Sequence, residues 1–246
     1  MSKFAVILPA AGKSSRFHDK HYKKPFIPLA NKAVWLHSAE KFLNRNDVVQ
    51  TIIVISPEDR EHFQVKFGAN IAILGVDVVA GGAERADSVR AALARVRPEI
   101  EYVAIHDAAR PCLADVWIDA VFDEAKTAGA AILATPVTST LKRSVSGKTI
   151  DETVPRVNLW EAQTPQVFRR DWLVDAYSQL GDSNATDDAQ VMEQAGHAVS
   201  IVAGSPLNLK ITTRADVKMA ESNLKALPKP KLSGPGNPFA DGDMWR

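Results

Sequence analysis

The chain has 246 residues, 46% of them hydrophobic and 24% charged, with 30 Lys+Arg against 29 Asp+Glu and a formal net charge of +1. That length buries enough surface to fold without a metal or disulfide staple, and the neutral balance lacks the field of a non-specific nucleic-acid or anionic-membrane binder. With Cys112 as the only cysteine, an internal disulfide and a multi-cysteine zinc site are excluded, and a reducing cytoplasm is the expected compartment.

Phe4-Ala-Val-Ile-Leu8, closed by Pro9, reads as a strand buried on both faces. Similar apolar runs recur at residues 51–55, 71–79, 102–106, 130–135 and 199–202. None approaches the ~18–20 residues needed to cross a bilayer. Between them lie segments of helical period, with Trp35, Ala39, Phe42 and Leu43 on one face, then Val89, Leu93 and Val96, then Val116, Ala120 and Ala125. Strand and helix in alternation predict an α/β fold, a mostly parallel twisted sheet flanked by helices. Ser56-Pro57-Glu58 and Thr213-Arg-Ala-Asp216 carry helix-start signals, and Gly129, Gly181 and Gly196 suit left-handed helix ends.

The alternation breaks after Thr135. Residues 138–158 are polar and β-branched and turn at Ser146-Gly147, which predicts a projecting β-hairpin. A lone hairpin is marginal in water, so a second copy is expected to stabilise it as an arm-mediated homodimer. The main domain is expected over residues 1–227. Residues 228–246 hold four of the 14 prolines and three of the 13 glycines, and read as a disordered tail.

Ligands of open α/β sheets bind on the loops after the strands, and three such loops carry chemistry. Pro9-Ala10-Ala11-Gly12 allows close backbone approach and leads into Lys13, Arg16, Lys20, Lys23 and Lys24, offset by Asp19 alone. Gly12-Lys13-Ser14 is not a P-loop end, because the required glycine at position 7 is Ile7. A cationic run here suits a triphosphate and the charge that builds at phosphorus in a transition state. The second loop, Gly81-Gly82-Ala-Glu-Arg-Ala-Asp-Ser88, has glycines for tight turning and a hydroxyl near a helix start. The third, His106-Asp107-Ala108-Ala-Arg110-Pro, puts Asp107 at a strand end, where one carboxylate can hold Mg²⁺. His106 reads as a structural, hydrogen-bonded histidine.

Together with Thr140-Leu-Lys-Arg143, Arg156 before Asn158-Leu-Trp160, Gln163-Thr-Pro-Gln166, Thr186-Asp187 and Asn208-Leu-Lys-Ile-Thr212, these motifs resemble the 2-C-methyl-D-erythritol 4-phosphate cytidylyltransferase family over residues 4–226. The resemblance implies a Rossmann-like nucleotidyltransferase fold with a swapped β-arm. It also implies attack of a methylerythritol phosphate oxygen on the α-phosphorus of CTP, with Mg²⁺ held by Asp107. By position, Arg16 and Lys24 would stabilise the transition state, and Lys23 competes with Lys24 for that place. Pro9, Ala10, Ala11, Gly12, Lys24, Gly81, Gly82, Ser88, Asp107 and Ala108 would meet the nucleotide, in a cytosine pocket too small for a purine. Asp107, Arg110, Thr140, Arg156 and Lys210 would grip the acceptor, with Thr140 and Arg156 coming from the partner's arm and Arg156 and Lys210 counted among the catalytic residues. The chain departs from the family pattern at Ala83 and Leu207, where acids are common. The rival readings are a cytidylyltransferase for another polyol phosphate, such as ribitol 5-phosphate, and a catalytically weak nucleotide-binding protein.

Overall fold

The computed structural model describes residues 2–12, 24–181 and 185–228. Seven strands form the main sheet: β1 (Phe4–Pro9), β4 (Val48–Ile55), β5 (Asp77–Ala80), β6 (Tyr102–Ile105), β7 (Ala130–Pro136), β10 (Trp160–Arg169) and β11 (Ser200–Ala203), in the order β11-β7-β10-β6-β1-β4-β5. Only β10 runs antiparallel to its neighbours, β6 and β7; the remaining pairs are parallel. The mostly parallel sheet expected from the alternation is therefore present. Two short pairs lie outside it, β2 (Pro28–Leu29) with β3 (Lys32–Ala33) and β8 (Leu141–Arg143) with β9 (Glu152–Val154).

The strand sequences explain the layering. In β1, Phe4, Val6 and Leu8 join one apolar core and Ala5 and Ile7 the other, as the two-residue period of a strand covered on both faces requires. Helices α1 (Val34–Leu43), α2 (Arg60–Leu74) and α4 (Asp115–Ala128) close the first core; α3 (Arg85–Leu93), α5 (Arg170–Gln179) and α6 (Asp188–Gln194) close the second. Helix α7 (Arg214–Ala226) covers a third cluster containing Leu29, Cys112 and Ile211. No helix among the described residues is long and apolar enough to cross a membrane.

Three expectations are corrected. The apolar run 71–79 is not one strand: Ile71–Leu74 end α2, Gly75 terminates it at φ 63°, and the strand begins at Asp77. An uninterrupted apolar run cannot by itself separate a buried helix end from a strand. In α4 the buried stripe is Ile118, Val121, Phe122 and Ala125, while Val116 and Ala120 are exposed, because the expected register lies off the true face. Strand β10 is absent from the expected elements, since its polar Gln163, Thr164 and Gln166 and its Pro165 break the apolar pattern. Thr213 and Asp216 do form the expected capping box, and Gly129 ends α4 at φ 85°.

Candidate active site

Strands β1, β5 and β6 are parallel, so their carboxyl ends share one sheet edge; β10 begins there and β11 ends there. The chain leaves β1 toward β4 on one side and later returns to β6 on the other, so the crevice above β1 and β6 is the topological switch point, where such sheets bind ligands. A pocket of about 130 Å³ lies there, lined by Pro9, Ala11, Gly12, Gly82, Ala83, Glu84, Arg85, Ser88, Asp107, Ala109 and Lys210. It is smaller than the ~300–1,000 Å³ typical of pockets that enclose a whole ligand.

Asp107 is the electrostatic centre. Its Oδ2 lies 2.8 Å from Lys210 Nζ and 3.3 Å from Arg110 Nε. Burial alone would raise the carboxyl pKa, but Lys210, Arg85 and Arg110 more than offset it and hold the group well below the usual carboxylate range. Its position is fixed by Thr164 and His106. The Asp107 backbone N–H donates to Thr164 Oγ1 at 3.0 Å, and Thr164 Oγ1 lies 3.0 Å from His106 Nδ1. His106 Nε2 lies 3.0 Å from the Arg110 carbonyl, which can only accept, so Nε2 carries the proton and Nδ1 accepts from Thr164. Burial holds His106 neutral, with its pKa lowered to about 4. It is the structural histidine expected.

Lys210 lies in the loop before α7, although its apolar neighbours Leu209 and Ile211 would suit a strand. Asn208 anchors that loop. Its Nδ2 donates to the Thr164 carbonyl at 2.8 Å, and its carbonyl accepts from Arg110 Nη1 at 2.8 Å. Gln163 holds the same loop through Ser205, donating to its carbonyl at 2.9 Å. The Gln-Thr-Pro-Gln and Asn-Leu-Lys motifs are therefore the frame that brings Lys210 to Asp107.

The glycines of the second loop serve close packing and not turning, since neither has a positive φ. A Cβ at Gly81 would lie 2.6 Å from Ala11 Cβ and 2.8 Å from Ser88 Oγ; one at Gly82 would lie 2.3 Å from Asp87 Cβ. Ser88 Oγ accepts from Gly82 N–H and donates to the Glu84 carbonyl, both at 3.2 Å, so it shapes the loop from within. Glu84 and Asp87 form a capping box that starts α3, a signal carried by their spacing and missing from the sequence expectations.

Not all expected residues converge. Ala10 and Ala108 are buried, and neither they nor Gly81 lines the pocket. Thr140 and Arg156 are exposed on the arm, away from the lining. Lys13, Arg16, Lys20 and Lys23 lie outside the described residues; Lys24 begins a short 3-10 turn before Phe26. Of the two departures, Ala83 is exposed at the pocket, and the backbone of Leu207 receives Asn223 Nδ2 at 3.1 Å.

His106 gives the fold a pH signature. Its folded pKa lies below the ordinary 6.5, so the unfolded chain binds the extra proton between pH 6.5 and about 4. Its contribution to stability is complete above pH 6.5 and is lost as pH falls through that window, by about 3 kcal/mol in all. The Tm should drop correspondingly on acidification, and His106→Asn should flatten that slope while lowering Tm at neutral pH. An unchanged slope in the variant would refute the assignment.

The comparisons agree with this geometry. Residues 4–226 match the model of the family described as 2-C-methyl-D-erythritol 4-phosphate cytidylyltransferase. A protein of that name from Rhodopirellula baltica is 41% identical over 231 residues, covering 89% of this chain and 94% of the relative. Another from Alkaliphilus oremlandii is 38% identical, with 92% and 96% covered. A bifunctional relative from Desulfotalea psychrophila is 35% identical, and the match spans 59% of its length. Among solved structures, a 4-diphosphocytidyl-2C-methyl-D-erythritol synthase superposes with TM-score 0.75 at 32% identity, covering 91% of this chain and 99% of that one. A cytidylyltransferase from Thermus thermophilus gives 0.75 at 26%, with 92% and 100% covered. With nearly the whole described sheet and every loop of the pocket inside the matched span, the chain belongs to the 2-C-methyl-D-erythritol 4-phosphate cytidylyltransferase family.

Proposed function

We propose that the pocket around Asp107 is where this chain performs its family's reaction, cytidylyl transfer from CTP to 2-C-methyl-D-erythritol 4-phosphate. The observation that carries this is the convergence of Lys210 and Arg110 on one ionised carboxylate at the switch point of the sheet. Pro9, Ala11, Gly12 and Gly82 give the nucleotide a close-approach wall, and the loops end on cations that suit its phosphates. A magnesium ion fits the donor set: Asp107 offers one carboxylate, and Mg²⁺ is usually held by one or two protein carboxylates plus substrate phosphates. No cluster of three His, Cys, Asp or Glu side chains occurs among the described residues, so such an ion would complete its shell with phosphate and water oxygens. Bound there, it would neutralise charge on the triphosphate.

Within this reading, Lys210 and Arg110 hold Asp107 and the acceptor phosphate, and Arg16 and Lys24 stabilise charge at the α-phosphorus. Thr140 and Arg156 reach the acceptor from a partner's arm, making the enzyme a homodimer. The buried free Cys112 supports a cytoplasmic location.

Pyrophosphate release from CTP with Mg²⁺ and each polyol phosphate tests the reading. Release with methylerythritol phosphate alone is expected. Preference for ribitol 5-phosphate, or CTP binding without release, would favour a rival reading. In the same assay Lys24→Ala should lower kcat about 100-fold with little change in KM for CTP, because a contact made mainly in the transition state acts on kcat. If Lys23→Ala does this instead, the catalytic lysine is Lys23.

A further inference from the structure

Arg85 belongs to the Gly-Gly-Ala-Glu-Arg motif but has no role in the reading above. It is the first residue of α3 and lines the pocket with Asp107 and Lys210. Its Nη2 donates to Asp188 Oδ2 at 2.5 Å. Asp188 is fully buried, and its Oδ1 accepts from the Tyr177 hydroxyl at 2.6 Å. The backbone N–H groups of Asp188 and Ala189 donate to Gln166 Oε1 at 3.1 and 3.0 Å. Gln166 lies in β10 opposite Ile105, two residues before Asp107. The carboxylate that holds Arg85 is thus itself fixed by α5, α6 and β10.

A buried carboxylate needs a cation, and that need alone could account for an arginine. It does not account for the guanidinium's other donors. Asp188 engages one nitrogen of a group with five N–H bonds, and no other side-chain hydrogen bond of Arg85 occurs among the described residues. The side chain is 28% exposed, and it borders the pocket. Asp188 offsets part of its charge, and the rest helps hold Asp107 ionised. Arg85 also adds a planar fork whose direction is set from behind, the geometry suited to a phosphate oxygen.

We propose that Arg85 is a nucleotide-binding residue whose remaining N–H groups donate to an oxygen of the triphosphate beside Asp107, with Asp188 and Tyr177 as the positioning residues that fix its plane. The proposal rests on the assignment of this pocket to CTP.

The test compares variants with the native enzyme by CTP kinetics of pyrophosphate release and by thermal unfolding. Arg85→Lys keeps the charge facing Asp188 and loses the fork. Losing one charge-assisted hydrogen bond should lower kcat/KM for CTP about 10–100-fold, chiefly through KM, with Tm within a few degrees of native. Arg85→Met combined with Asp188→Leu replaces the buried pair by apolar side chains, a change that is often neutral or stabilising. The fold is then kept and the kinetic loss persists, whereas a purely structural role predicts recovery. Tyr177→Phe should lower kcat/KM for CTP about 3–10-fold, with KM for the acceptor unchanged. Native kcat/KM in Arg85→Lys, or recovery in the double variant, overturns the proposal; Arg85→Lys decides alone if the double variant does not fold. If the native enzyme itself releases no pyrophosphate from CTP, the pocket's assignment is what fails.

Discussion

Asp107→Asn is expected to lower kcat/KM about 1,000-fold while leaving the protein folded. Asparagine keeps the size of the side chain and can still accept from Lys210 and Arg110, so the loss isolates the charge. Three cations keep that charge in place: Lys210 at 2.8 Å, Arg110 at 3.3 Å, and Arg85 through its field. Without it, Lys210 has no carboxylate to hold it, and Mg²⁺ loses the protein ligand assigned to it. Steady-state kinetics over a range of Mg²⁺ concentrations should show that excess metal recovers part of kcat. A loss below tenfold, in a variant with native near-ultraviolet dichroism, would remove Asp107 from the centre of the mechanism.

The second large effect concerns assembly. Arg156→Ala and Asp107→Ala proteins, each nearly inactive alone, should regain about a quarter of native activity when unfolded and refolded together in equal amounts. In the proposed arm-shared homodimer, random pairing would make half the dimers mixed, and each mixed dimer would hold one intact composite site. Strands β8 and β9 form an exposed hairpin, and Val145, Ile150, Val157, Leu159 and Trp160 on or beside it are exposed large apolar residues. A two-stranded hairpin with such residues in water is a poor independent structure. Arg156 lies on this arm and does not line its own chain's pocket. Absence of recovery in heterodimers verified by native mass spectrometry would assign Arg156 a role within one chain.

The sheet and its chemistry were legible where the chain is periodic or compositionally unusual. Phe4–Leu8 and Ala130–Thr135 announce strands buried on both faces, and Asp107 announces itself by standing at a strand end. Strand β10 was hidden because its residues are chosen for the loops they hold. Gln163 binds the Ser205 backbone, Thr164 the Asp107 N–H, and Gln166 the start of α6, and polar side chains with those duties erase the apolar alternation. Arg85 was illegible for a related reason. Its partner Asp188 is 103 residues away, and no local pattern records a contact of that range. Lys210 borders the pocket from a loop, although Leu209 and Ile211 around it imitate a strand.

Gly81 has a consequence beyond its own loop. With no methyl group between Gly81 and Ala11 or Ser88, the loops following β1 and β5 abut directly and form one floor within a single chain. If the arm residues come from elsewhere, the two ligands meet differently built halves of the enzyme. Affinity for the nucleotide is then a property of each chain and survives dilution. Affinity for the acceptor belongs to the pair, and fades as the pair dissociates.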